Sequence, residues 1–138
     1  MRFLPYFIPM EAEAKYLPVR IRREREAMDG REIYKFAARQ VPVVVKEILE
    51  KAGKSVEEVD LFVLHQANRR IVEAIAKRLK QPIEKFPMDM MQNGNMSSAS
   101  IPVLLDELKK AGKLQPGMKI VVAGFGAGLT WGGMYLEW

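Results

Sequence analysis

The chain has 138 residues, 49% of them hydrophobic and 28% charged, which is room for one domain able to bury roughly two thirds of its unfolded surface and excludes a disordered or fibrous chain. No apolar run approaches the roughly 18 residues of a membrane span, and the start MRFLPYFIPMEAEAKY lacks a secretory pattern, so a cytoplasmic protein without membrane attachment is expected. Zero cysteines and one histidine exclude disulfides, thiolate sites and a thiol nucleophile in the chain and predict no metal, while the net charge of +5 points to anionic partners.

Residues 1–28 read as an irregular segment, extended or loop, with Pro5, Pro9 and Pro18 spaced through short apolar stretches before the mixed-charge run RIRREREAMD. The remainder, 29–138, carries the domain pattern. Asp29 and Glu32 have capping-box spacing, and Ile33, Phe36, Ala37, Val41, Val44, Ile48 and Leu49 recur at helical intervals up to Gly53. Pro42 lies inside this helix and lacks the N–H that would bond the Ala38 carbonyl, so a kink or break is expected there.

LFVLH, residues 61–65, has the length and composition of a buried strand. A second helix follows, capped by Asn68, striped by Ile71, Ala74, Ile75 and Leu79, and stopped by Pro82. IEKFPMDMM reads as a short strand or extended link and QNGNMSS as a turn-rich loop. Ser97 or Ser98 is expected to cap a third helix with Ile101, Leu104, Leu105 and Leu108 on one face and Gly112 just past its end. The C-terminal KIVVAGFGAGLTWGGMYLEW reads as two strands around a glycine-rich turn. Helices alternating with strands predict a layered α/β fold.

Three local motifs carry chemistry. GFGAG, Gly124 to Gly128, follows a strand but is itself followed by strand-like sequence, which argues against a dinucleotide site. It is either a hairpin turn or a turn that aims a backbone N–H at a reacting oxygen. LHQAN places the lone His65 at the end of a strand, where α/β sheets open ligand crevices; a hydrogen-bonded structural role and a catalytic one both fit. NGNMSSAS combines Asn93, Asn95, Ser97 and Ser98 before a helix, which suits turn chemistry and capping or an amide donor held where negative charge is welcome.

Taken together and in this order, LHQANRRI, NGNMSSASIP and GFGAGLTWG resemble the C-terminal signatures of the beta-ketoacyl-acyl carrier protein synthase III family. The likeness runs from about Met28 to Trp138 and includes DGREIYKFA. It implies the C-terminal half of a thiolase-like fold, a mixed sheet with packed helices in layers. It also implies that His65 and Asn95 are the catalytic histidine and asparagine of a Cys-His-Asn triad whose cysteine belongs to an N-terminal half, and that the Ala127 N–H contributes to an oxyanion hole. Alanine stands there where many relatives carry glycine, and Met96 stands where threonine is common.

The same resemblance implies an acyltransferase that initiates fatty acid synthesis. An acyl-CoA primer acylates the cysteine, malonyl-acyl carrier protein loses carbon dioxide, and the carbanion attacks the thioester. Substrates are thus acyl-CoA and malonyl-acyl carrier protein, with no covalently bound cofactor. Arg70, Lys77 and Lys35 correspond to a docking surface for the acidic carrier protein, and Gly30 and Asn68 to positions near the pantetheine arm. On residues alone, the helix bearing Arg70 is equally a solvated face with Glu73 pairing to Arg69 or Lys77. The isolated chain is expected to be inactive for want of a thiolate, to expose an apolar patch, and to self-associate as a homo-oligomer. A non-catalytic carrier-protein-binding or assembly module is the alternative. Nucleic-acid binding is not expected, because aromatics do not interleave with the basic residues.

Overall fold

The protein is described here by a computed structural model covering residues 30–126 and 129–138 and, as backbone only, 21–22 and 25–26. Strands β1 (Ile21–Arg22) and β2 (Arg25–Glu26) form a short antiparallel pair. Helix α1 (Gly30–Lys51) precedes strand β3 (Leu61–Leu64) and helix α2 (Arg69–Leu79). One turn of helix, α3 (Met90–Asn93), leads to helix α4 (Ser100–Lys110) and strands β4 (Lys119–Gly126) and β5 (Thr130–Glu137).

The helical repeat of α1 buries Ile33, Phe36, Ala37, Val41, Val44, Ile48 and Leu49, with Ala38 and Val45 beside them. Each large aliphatic of that stripe contributes about 1.5–3 kcal/mol by leaving water. Of the kink or break expected at Pro42, the break does not occur: α1 continues through it, one lost hydrogen bond being outweighed by apolar contacts on both sides. The capping residue Asp29 lies outside the described residues.

The sheet is mixed, in the order β3-β4-β5, with β3 parallel and β5 antiparallel to β4. Alternation along the strands divides the core into two. Phe62, Leu64, Val121, Ala123, Phe125 and Tyr135 face α1 and α2, whereas Val63, Ile120, Val122 and Leu136 face Leu104 and Leu108 of α4. The result is a helix-sheet-helix sandwich. At Gly133 a Cβ would stand 2.7 Å from the Val122 carbonyl and 2.8 Å from Ile48 Cδ1, so the absence of a side chain is what lets α1 lie against β5.

Between α2 and α3 the expected strand or extended link is instead a 3-10 turn, Ile83–Lys85, followed by α3. Tertiary contacts decide this: Phe86 stacks on Phe62 with ring centroids 4.7 Å apart, and Gln66 reaches across to Pro87 and Asp89. At α4 neither Ser97 nor Ser98 caps with its side chain. Ser97 to Ala99 form a 3-10 turn, and Ser97 has a left-handed φ of 54°. Among the described residues of the C-terminal hairpin the left-handed φ is at Leu129 (52°) and not at a glycine.

Candidate active site at the end of strand β3

His65 continues the β3 ladder by one bond, its N–H donating to the Ala123 carbonyl at 2.9 Å. This fixes the backbone where the strand turns into α2. Asn68 then caps α2: its backbone is extended and its Oδ1 accepts the Arg70 N–H at 2.8 Å. The His65 ring sits edge-on to Phe125, with centroids 5.3 Å apart, and its Nδ1 lies 2.6 Å from Ser100 Oγ. Burial pushes the imidazole below its ordinary pKa. The ring is therefore neutral at pH 7, which suits a hydrogen-bonding role more than a charged one.

Ser100 is fully buried and joins three segments. Besides meeting His65, its Oγ bonds the Ser97 carbonyl at 2.9 Å and accepts the Gln66 N–H at 3.3 Å. Ser97 N–H in turn donates to Asn95 Oδ1 at 3.0 Å. A short hydrogen-bonded string thus links Asn95 through Ser97 and Ser100 to His65. Asn95 itself is exposed, and with Oδ1 engaged its remaining polar group is the amide NH2, a donor. Ala127, the expected backbone donor, lies outside the described residues.

Sequence reasoning overlooked Ser100 and Gln66. For Ser100 a signal existed: it precedes Leu104 and Leu108 by four and eight positions, which puts a hydroxyl on the buried stripe of α4. Gln66 gave no such sign. Its side chain is fully buried, Nε2 donating to the Leu64 carbonyl at 2.8 Å and Oε1 accepting the Asp89 N–H at 3.2 Å. Buried Asp89 receives Asn93 Nδ2 at 3.2 Å, and the same amide reaches Glu107 at 2.8 Å. The Gln66 bonds anchor the 87–89 segment beneath the turn that carries His65.

Three basic residues, Lys35, Arg39 and Arg78, meet the acidic Glu32 in a groove between α1 and α2. The groove, of about 640 Å³, is also lined by Tyr34, Ala74 and Leu129 among others. Arg70 lies over the Tyr34 ring, 5.9 Å from its centroid, tying the start of α2 to α1. Arg69 pairs with Glu73 at 2.7 Å and Lys35 with Glu32 at 2.8 Å, both on exposed surface. Lys35, Arg70 and the groove are thus neighbours on one face, whereas Lys77 is an exposed α2 residue that does not line the groove. Gly30 opens α1, exposed, with open space around it. Exposed large apolar side chains are Tyr34, Val43, Ile83, Met91 and Met134 among the described residues.

Among the described residues no helix is long and apolar enough to cross a membrane, and no group of three or more His, Asp or Glu could hold a metal.

Residues 49–138 match the model of the family described as 3-oxoacyl-[acyl-carrier-protein (ACP)] synthase III C terminal. The beta-ketoacyl-[acyl-carrier-protein] synthase III of Porphyra umbilicalis is 55% identical over 111 residues, 80% of this chain and 34% of the relative. That of Clostridium acetobutylicum is 47% identical over 112 residues, 81% of this chain and 34% of the relative. The chain therefore spans about a third of the length of the curated relatives it matches. Among solved structures, the 3-oxoacyl-(acyl carrier protein) synthase III of Pseudomonas aeruginosa PAO1 superposes with a TM-score of 0.87 at 32% identity, over 96% of this chain and 43% of that one. The Aquifex aeolicus VF5 enzyme gives 0.87 at 41%, over 94% and 43%. Its fold is part of a thiolase-like fold, and the chain belongs to the beta-ketoacyl-acyl carrier protein synthase III family, matching its C-terminal portion.

Proposed function

We propose that residues 29–138 are the C-terminal catalytic domain of a ketosynthase III that condenses an acyl-CoA primer with malonyl-acyl carrier protein. The observation that carries this reading is the hydrogen-bonded string joining Asn95 to His65 through Ser97 and Ser100. In this reading His65 and Asn95 donate N–H groups to the thioester oxygen as malonyl decarboxylation turns it into an enolate. Neutral donors serve here because a cation would pair with the malonyl carboxylate and stabilise the ground state as well. Each is worth about 100- to 1000-fold in rate. Ala127 supplies a backbone N–H to a second oxyanion site, and the acylated thiol comes from the cysteine-bearing half of the enzyme, since this chain has no cysteine.

The groove between α1 and α2 is the approach for the carrier protein, with Lys35, Arg70 and Lys77 facing its acidic surface and Gly30 and Asn68 flanking the pantetheine arm. The assembled enzyme is a cytoplasmic homo-oligomer. Combining this chain with a cysteine-bearing N-terminal half of a relative tests the reading, with beta-ketoacyl-acyl carrier protein formation as readout. Condensation is expected, falling about 100- to 1000-fold for His65→Ala or Asn95→Ala; a stable, folded complex with no condensation would overturn it.

The clustering of basic side chains around one groove also favours a second reading, a carrier-protein-binding module without catalysis. It requires that the chain alone bind acyl carrier protein, with affinity lowered by Arg70→Glu and by salt and unchanged by His65→Ala. Binding of this kind without condensation in the assembled pair selects the module.

A further inference from the structure

We propose that Ser100 is a positioning residue that donates its hydroxyl hydrogen to His65 Nδ1, holding the neutral ring with its own proton on Nε2. Ser100 Oγ has one hydrogen and three polar neighbours. The Gln66 N–H, at 3.3 Å, can only donate, so it occupies a lone pair of the hydroxyl oxygen. The Ser97 carbonyl, at 2.9 Å, can only accept, and it already receives the Ser100 backbone N–H. It remains satisfied without the hydroxyl. His65 Nδ1 is the one neighbour able to take either role.

The distance favours the hydroxyl as donor: 2.6 Å falls short of the roughly 2.7–3.2 Å of N–H···O bonds, whereas bonds donated by a hydroxyl to oxygen run shorter, about 2.5–3.0 Å. With Nδ1 accepting, a neutral imidazole must carry its proton on Nε2, the nitrogen that does not meet Ser100. The Ser97 carbonyl then provides the alternative resting place for the hydroxyl hydrogen. When the ring gains a second proton, Nδ1–H donates to Oγ and the hydroxyl turns to that carbonyl, so a single rotation accommodates both charge states. The Ser97 carbonyl keeps the Ser100 backbone N–H, and the Ser97 N–H bonds Asn95 Oδ1, so the residue that orients His65 is also tied through the backbone to the loop that holds the second candidate donor.

The catalytic meaning of this tautomer rests on the ketosynthase reading, but its test does not. The chain has one histidine, so selective 15N-imidazole labelling of the 138-residue chain gives a single ring in the NMR spectrum. At a pH where the ring is neutral, Nε2 is expected to bear the proton, and Nδ1 to resonate as an acceptor displaced from the free-acceptor position by its hydrogen bond. Ser100→Ala is expected to return Nδ1 to the free-acceptor position, and Ser100→Thr, which keeps the hydroxyl, to restore the displacement. A proton on Nδ1 in the unaltered chain, or an Nδ1 signal unmoved by Ser100→Ala, overturns the proposal. If Ser100→Ala does not fold, the unaltered chain decides alone: a displaced, unprotonated Nδ1 supports the proposal, and an undisplaced or protonated one overturns it. No substrate or second half is needed, so a failed tautomer assignment leaves the ketosynthase reading standing, and failed condensation leaves the tautomer standing.

Discussion

His65 and Ser100, 35 positions apart in the chain, meet with Nδ1 and Oγ 2.6 Å from each other. The contact clamps the end of β3 to the first residue of α4, while Phe125 of β4 closes the ring's other side. An imidazole held between a hydroxyl and an aromatic edge gains little from charge.

That environment makes stability depend on pH. The folded pKa of His65 lies below the unfolded value near 6.5, so the unfolded chain binds the proton first as pH falls. The contribution is complete above about pH 6.5 and is lost as pH drops through the folded pKa. Urea unfolding at a series of pH values between about 7.5 and 5 should show this loss, and His65→Gln should remove it.

Asn68 serves α2 whatever else it does. Replacing it with alanine leaves the Arg70 N–H without its side-chain acceptor and should lower stability by about 1 kcal/mol, read as a lower urea midpoint at constant slope. Asn68→Asp keeps the acceptor and should retain nearly all of that stability.

Gly133 and its neighbour Gly132 should behave differently. A methyl group at Gly133 collides with the Val122 carbonyl and with buried Ile48, so Gly133→Ala is expected to cost about 1–3 kcal/mol. The same change at Gly132 meets open space and should be close to neutral. Equal denaturation midpoints for the two variants would contradict the tight packing of α1 on β5.

Tyr135 governs the alkaline side. Its buried phenol, held to Glu137 at 3.0 Å, has its pKa pushed up to about 12, chiefly by burial. Its contribution is fully present below the unfolded value near 10 and is lost as pH rises through about 12. Thermal melts across that window should show a drop that Tyr135→Phe reduces.

Much of the fold was legible because local pattern and tertiary demand agree. The stripe of α1, the strand before His65, the Asn68 cap and the paired C-terminal strands each follow from periodicity or a capping residue, and each appears. Where they conflict, tertiary contacts win. Residues 83–91 read as a short strand or extended link, yet Phe86 stacking on Phe62 and the buried Gln66 amide draw them into turns. At α4 the hydroxyls of Ser97 and Ser98 were the obvious caps, but the serine that matters lies one helical turn on, facing inward with Leu104 and Leu108. A cap is a local property; a clamp between β3 and α4 is visible only once the two elements are side by side.

The parallel pairing of β3 with β4 also sets when the site can exist during synthesis. Asp60 accepts the Lys119 N–H across 59 positions, and His65 waits for the Ala123 carbonyl to complete its backbone bonds. A nascent chain can form α1 and α2 from local contacts, but it cannot hold the histidine in place until β4 has left the ribosome. Closing so long a loop is a slow, late event. The candidate site is therefore among the last features of this chain to mature, and a ribosome stalled before residue 119 would display the helices without it.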